Sequence, residues 1–490
     1  MNNIRLLSFP LLMYGLISFG QGTLSKVKTK TFKTISSLEI EGDTGYLIVP
    51  ENRTNPSSRE IKVKYVHLKS LSESPATPVI YLEGGGGEST WQADSPEDLT
   101  DWVEVLEIAD LIFIDRRGIN DNSLNYIPLS KVQSDFFSSE EKANEYYSSM
   151  VEKALSKFQK RKVDVSGYNI VEHAKDIHDL TQALEIKKYS IYGFSYGTHI
   201  GMTNMVLHPE EIERAVFIGA DAPNQSFNFP SDLDRHVEKI SEMVAQDSAL
   251  SATIPSFREL VNEVMEELEA KPVNVIIKHP LTKKKVELEI GAFGLALVLR
   301  LDIDDANDIP AIPRLLYTIH QGDYSMLTWF VQKRASMAMG LSGSSINQGL
   351  ASGVSSQRWS TIKQEAEASI FGNIVNFPFS AAKDSWPNSD LEIDTSIPVK
   401  TDIPTLFVTG TLDCRTSVEQ VEETMKEFSN AIHVKVKDAG HEQAMWQKEI
   451  FNEIIPSFLK GQKVSKTTTR YREIKFLPLA GSTKGHPSIK

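Results

Sequence analysis

An α/β fold is what this sequence predicts: a mostly parallel central sheet, helices on both faces, and an inserted, mainly helical region. Three observations predict it. Short continuous apolar runs alternate with segments of helical periodicity, as in a parallel sheet covered on both sides. The residues with chemical potential fall at the carboxyl ends of those runs, where such sheets bind ligands. The alternation stops near residue 226 and resumes near residue 396, so the stretch between reads as an insertion.

The elements follow in order. Residues 44–50 (TGYLIVP) and 61–68 (IKVKYVHL) read as early strands, the second with the apolar–polar alternation of a half-buried one. Residues 78–82 (PVIYL) run into Glu83 and four glycines, and residues 110–115 (DLIFID) run into Arg116-Arg117-Gly118. Val171, Ala174, Ile177, Leu180 and Leu184 put one apolar face on a helix over 170–184. Residues 189–192 (YSIY) form a strand, 199–207 a helix, and 215–219 (AVFIG) a further strand. In the insertion, 256–270 is an amphipathic helix, and 273–278 with 285–290 form a hairpin. Strand–helix order returns with 404–409 (PTLFVT), a helix near 417–428, 432–436 (IHVKV), and a last helix near 448–459.

The expected organisation has five parts. Residues 1–20 are a secretory signal peptide, 21–225 the first part of the core, and 226–395 the cap. Residues 396–462 complete the core, and 463–490 form a polar tail ordered only in part. The signal rests on MNNIR, the apolar run LLSFPLLMYGLISFG, and small Ser18 and Gly20 ahead of a cut before Gln21. That run is short for a span of about 20 residues and holds Pro10, so no membrane anchor is expected after cleavage. A periplasmic or secreted location follows.

Composition excludes other classes. The chain has 490 residues, 40% hydrophobic and 24% charged, enough for a large core. Its formal net charge of −13 argues against a nucleic-acid partner, which needs a clustered basic surface. Cys414 is the single cysteine, so no intramolecular disulfide and no cysteine-based zinc site is available. No H-E-x-x-H occurs, and His173 and His178, five apart, fall on different faces of their helix. GGGGEST lacks a P-loop lysine. No metal and no cofactor is expected.

The chemistry centres on Gly193-Phe194-Ser195-Tyr196-Gly197, a G-x-S-x-G pentapeptide with a strand before it and a helix after it. Glycines two residues either side of Ser195 suit a tight strand-to-helix turn that projects the hydroxyl at a helix N-terminus. A serine needs a base, and His441 in DAGH follows the last predicted strand. An acid must orient the imidazole. Asp413 (GTLDCRT) and Asp221 (GADAP) both lie just beyond strands and between serine and histidine. Asp413 is preferred because its strand immediately precedes the one leading to His441, while Asp221 can cap the next turn. The glycine run 84–87 supplies backbone that approaches a substrate oxygen closely.

Several ordered motifs resemble the tripeptidyl-aminopeptidase and proline-iminopeptidase branch of the α/β-hydrolases, peptidase family S33. They are TGYLIVPENR, PVIYLEGGGGES, LIFIDRRGINDNS, IYGFSYGTHIG, HPEEIERAVFIGADAP, IPTLFVTGTLDCRTS and DAGHEQ, with SGVSSQRWSTIKQEAEASIFG in the insertion. The resemblance runs from about residue 40 to 460. It implies Ser195 as nucleophile, Asp413 as acid, His441 as base, and the Gly85 and Tyr196 N–H groups as oxyanion donors. It departs from the family at Gly86, where proline is usual. It departs also at Glu83, where proline iminopeptidases carry histidine, and at Glu442, where a small residue is common.

The expected function is that of a secreted serine hydrolase releasing residues from the N-terminus of short peptides through an acyl-enzyme. An acid in the cap would hold the substrate ammonium. Asp304, Asp305, Glu365 and Glu367 are the candidates, and spacing does not choose among them. A carboxylesterase acting on small acyl esters uses the same triad without that acid. An inactive hydrolase kept for binding is the reading outside enzymes.

Overall fold

A computed structural model describes residues 22–85, 99–119, 124, 133–340, 350, 352–383, 385–387 and 391–481. The expected signal peptide, Gly86 and Gly87 lie outside the described residues.

The frame is a ten-stranded sheet in the order β1-β2-β3-β5-β4-β6-β7-β10-β11-β12. Its strands are β1 (Thr23–Lys33), β2 (Glu39–Pro50), β3 (Glu60–Leu68), β4 (Ala76–Leu82), β5 (Ala109–Ile114), β6 (Tyr189–Phe194), β7 (Ile212–Ile218), β10 (Thr405–Gly410), β11 (Ala431–Lys437) and β12 (Thr468–Arg470). β1, β2, β3 and β5 pair antiparallel in turn, and every pairing from β5 to β12 is parallel. The hairpin of β8 (Val273–Lys278) and β9 (Lys285–Ile290) forms a sheet of its own.

The central strands are buried on both faces. Ile80, Leu82 and Ile112 join one apolar cluster; Val79, Tyr81 and Phe113 join the other. The continuous apolar runs follow from this, because neither face meets water. Helix α1 (Val103–Leu106) sits on the second face, where Trp102 packs edge-on against Tyr81, Phe113 and Phe451. Helices α2 (Glu140–Lys160), α3 (Ile170–Ala183) and α4 (Tyr196–Leu207) cover the first. Ser139 caps α2 by accepting from the Lys142 N–H, and Asn169 caps α3 by accepting from the Glu172 N–H.

Between β7 and β10 the chain builds α5 (Pro230–Gln246), α6 (Phe257–Ala270), the β8–β9 hairpin, α7 (Ala292–Asp302), α8 (Ile312–His320), α9 (Ser325–Ala338) and α10 (Ser356–Ala368). None of these joins the main sheet, because β10 pairs directly with β7. Three helices then follow: α11 (Val418–Met425), α12 (His441–Met445) and α13 (Ile455–Leu459), the last preceded by a π-helical turn at Ile450–Ile454. The sequence reads one helix over 448–459; Pro456 at the head of α13 carries no N–H and marks the change of hydrogen-bond pattern.

Two other elements differ from the sequence reading. β1 has no counterpart among the strands the sequence predicts: its side chains are mostly exposed and only Phe32 is buried, so no apolar face announces it. The polar tail is part of the fold through residue 481. β12 extends the sheet beside β11, and buried Leu477 donates its N–H to the Pro310 carbonyl of the inserted region. Among the described residues no helix is long and apolar enough to cross a membrane.

Candidate active site

The site is built at the carboxyl ends of β4, β6, β7 and β10. β6 ends in Phe194, and Ser195 turns the chain into α4 with φ 50° and ψ −123°. A side-chain-bearing residue rarely holds this conformation, which costs about 1–3 kcal/mol and needs support from its surroundings. The support is visible. The Ser195 N–H donates to the Ile218 carbonyl at 2.9 Å, and the Ser195 carbonyl accepts from the Thr198 N–H (2.8 Å) and hydroxyl (2.7 Å). The flanking glycines are steric requirements. A Cβ on Gly197 would lie 1.9 Å from the Leu82 carbonyl oxygen, and one on Gly193 would lie 3.0 Å from the Gly197 backbone. The end of β4 is thus pressed against the first turn of α4.

That approach brings the glycine loop to the serine. A Cβ on Gly84 would meet the Ser195 Cβ at 3.1 Å. The Gly84 N–H is already given to the Glu83 carboxylate at 2.8 Å, and Glu83 also accepts from the Tyr81 hydroxyl at 3.1 Å. Gly85, the next residue, is exposed. Tyr196 opens α4 and is buried, with the Arg116 guanidinium 5.8 Å from its ring centre.

His441 opens α12 and is 3% exposed, and its Nδ1 lies 2.7 Å from Asp413 Oδ2. Asp413, 2% exposed, is held on every side. Oδ1 accepts from the Arg415 and Thr416 N–H groups, both at 2.9 Å, and Oδ2 accepts from the Thr416 hydroxyl at 2.6 Å. Thr416 Oγ1 is also 3.2 Å from His441 Nδ1. Burial raises the Asp413 pKa, but the His441 charge and these hydrogen bonds outweigh it and hold the carboxyl below its ordinary value. At His441 burial disfavours the charged form, and the Asp413 carboxylate more than offsets this, so its pKa is raised.

Two contacts set the imidazole beside the elbow. The Phe194 ring centre is 5.2 Å from that of His441, and a Cβ on Gly219, at the end of β7, would lie 2.8 Å from His441 Cε1. Gly219 has φ 57°, a left-handed conformation that glycine adopts freely. From the far side the inserted region reaches in. The His441 N–H donates to the Asp304 carbonyl at 3.3 Å, and a Cβ on Gly440 would be 1.7 Å from that oxygen.

Of the two candidate acids, Asp413 meets His441 and Asp221 does not. Asp221 Oδ2 is 3.4 Å from Nδ1 of His199, whose Nε2 is 2.5 Å from the Ser352 hydroxyl of the inserted region. The four cap acids separate. Asp304 lies next to His441, buried, with its carboxylate paired to Arg415 at 2.6 Å. Asp305 accepts from Gln443 Nε2 at 2.9 Å, two residues beyond His441. Glu365 accepts from the Ser231 N–H at 3.1 Å, and Glu367 is exposed on α10. Asp304 and Asp305 therefore border the histidine loop, with the charge of Asp304 already neutralised, while Glu365 faces Ser231 and Glu367 faces solvent. Thr416, Gly219 and the Asp304 carbonyl were not singled out in the sequence; Thr416, three residues beyond Asp413, was the one within reach of a local pattern.

Comparison with known proteins agrees with this architecture. The family model described as alpha/beta hydrolase fold matches residues 77–272, and the one described as TAP-like protein matches residues 379–470. The serine protease Hip1 of Mycobacterium tuberculosis is 27% identical over 190 residues, 37% of this chain and 36% of that protein. A probable alcohol acetyltransferase of Cyberlindnera jadinii is 27% identical over 157 residues, 29% of this chain and 42% of that protein. The chain thus covers less than half the length of these curated relatives. Among solved structures, Rv0554 from Mycobacterium tuberculosis matches with a TM-score of 0.40 and 13% identity, over 86% of this chain and 100% of that one. The first match holds Ser195 and runs on into the first inserted helices, the second holds Asp413 and His441, and the chain is an α/β-hydrolase by fold with a TAP-like C-terminal part.

Proposed function

We propose that this hydrolase is a secreted serine peptidase that removes residues from the N-terminus of short peptides through an acyl-enzyme. The observation that carries the reading is the buried Asp413–His441 pair at 2.7 Å, set by Phe194 and Gly219 beside a serine held at φ 50°. Ser195 attacks the carbonyl carbon and His441 takes the hydroxyl proton. Asp413 keeps the imidazole in the tautomer with the proton on Nδ1 and stabilises the imidazolium. The Tyr196 and Gly85 N–H groups receive the oxyanion. His441 then hands its proton to the leaving amine, and water repeats the sequence to free the acyl group. The likeness to a serine protease supports amide cleavage, and Asp305 at the histidine loop is a candidate to receive a substrate ammonium.

A second reading has its own support. The likeness to a probable alcohol acetyltransferase favours an esterase acting on small acyl groups. The same acyl-enzyme serves, without a cap acid. Purified protein is assayed with aminoacyl- and peptidyl-arylamides, with aryl esters, and with a fluorophosphonate. Arylamide turnover supports the peptidase. Ester turnover without arylamide turnover replaces it by the esterase, and labelling that persists in Ser195→Ala removes the nucleophile.

A further inference from the structure

His173 and His178, five apart, share no face of their helix. The partners of His178 come instead from residues 208 and 211. Helix α4 carries Ser195 at its head and His208 at its foot, and its 12 residues span about 18 Å. His208 leads into the turn Pro209–Glu211 that starts β7, and α3 brings His178 against it. The two imidazole rings stack with centres 4.1 Å apart and planes 6° from parallel. His178 Nδ1 is 2.9 Å from Glu211 Oε1, and one ligand atom from each of the three residues falls within 4.8 Å of the others.

His208 Nε2 and Glu211 Oε2 are buried without a hydrogen-bond partner, and the approach of His178 Nδ1 to Glu211 Oε1 is not directed as a hydrogen bond. Buried polar groups are nearly always paired, so two orphans converging beside that contact require a cause. A proton pairs two of the three residues at a time; a divalent cation meets all three. Gln182 Nε2 donates to Glu211 Oε1 at 3.2 Å, which orients the carboxylate and leaves Oε2 for a ligand bond, as outer-shell partners of metal ligands do. The His178 side chain is 31% exposed, which leaves a path for an ion and room for water as a further ligand.

We propose that His178, His208 and Glu211 form a binding site for a zinc-class divalent transition metal that staples α3 to the α4–β7 turn, at the end of the sheet opposite Ser195. Two imidazoles and a carboxylate are a borderline-soft donor set, suited to zinc rather than to magnesium or calcium. Parallel rings cannot both aim a lone pair at one ion, so binding tilts them apart. The site is remote from the elbow, so its role is in stability.

The test is zinc binding to tag-free, chelator-stripped protein, followed by calorimetry and thermal unfolding, with cobalt absorption as a second probe. One equivalent of zinc bound, with a raised Tm, is expected. His208→Gln and Glu211→Gln each weaken binding by at least about tenfold and remove the rise in Tm, while fluorophosphonate labelling of Ser195 is unchanged. No stoichiometric binding to the unsubstituted protein overturns the proposal, as does equal affinity in the two variants. Where a variant fails to fold, the cobalt spectrum of the unsubstituted protein decides: tetrahedral or five-coordinate nitrogen ligation supports the site, and a spectrum of hydrated ion overturns it.

Discussion

Gly219 lies against the imidazole of His441, so close that a Cβ there would be 2.8 Å from Cε1 and 3.1 Å from Nδ1. The absence of a side chain at the end of β7 is therefore what lets the ring sit where Asp413 holds it. Gly219→Ala is expected to lower stability by about 1–2 kcal/mol, the cost of a Cβ in the left-handed region. Turnover falls much further, by about a hundredfold or more, because the base is displaced. Comparing urea midpoints with kcat separates the two effects.

Ser195→Ala is expected to abolish fluorophosphonate labelling and reduce kcat by roughly a millionfold, with the fold retained. The strained φ of 50° no longer serves a hydroxyl in that variant, but the glycines and hydrogen bonds that impose it remain. Mass spectrometry of the labelled protein checks the site directly.

The two acids give a discriminating pair. Asp413→Asn removes the charge that stabilises the imidazolium and is expected to cost about 10⁴-fold in kcat. Asp221→Asn touches His199 instead, whose other ring nitrogen bonds Ser352, and leaves kcat within about threefold. Thr416→Val removes a hydroxyl that bonds Asp413 and borders His441 Nδ1, with an intermediate loss of about tenfold. Steady-state assays of the three variants, side by side, order these roles.

The pH profile follows from the same pair. His441 acts as a base only when neutral, and its pKa is raised above 6.5, so the acid limb of kcat/KM falls above that value. In Asp413→Asn burial and the Arg415 charge, which lower the His441 pKa, are opposed only by Asp304, and the limb moves to lower pH. For stability, the raised His441 contributes below pH 6.5 and loses its contribution as pH rises through its folded value. Asp413, lowered, contributes above pH 3.8 and loses its contribution as pH falls through its folded value.

Mild acid tests the core in a different way. Burial, with Arg117 nearby, lowers the His173 pKa to about 3, against 6.5 when unfolded. The unfolded chain then binds the extra proton, so stability is full above pH 6.5 and declines from there toward pH 3. His173→Gln is expected to reduce the loss between pH 7 and pH 5 by about 2 kcal/mol, read from urea midpoints.

Much of this was legible in the sequence because it is local. A buried parallel strand is a continuous apolar run, and the elbow is one pentapeptide whose glycines answer to contacts of 1.9 and 3.0 Å. β1 left no such trace, because TLSKVKTKTFK buries only Phe32 and owes its place to pairing with β2. Contacts between distant residues were equally silent. Gly219 meets His441, and Asp304 meets Gly440, across more than a hundred residues each. The cap acids were chosen by charge, and charge does not tell a carboxylate paired with arginine, as Asp304 is, from one in solvent, as Glu367 is.

The carbonyl of Asp304 fills the space that a side chain on Gly440 would need, and it accepts the N–H of His441, the proposed base. The region between β7 and β10 is thus a structural part of the proposed site. A chimera that exchanged this region for a foreign one would have to reproduce a single backbone oxygen at residue 304. Without it, the graft would lose the histidine before it ever met a new substrate.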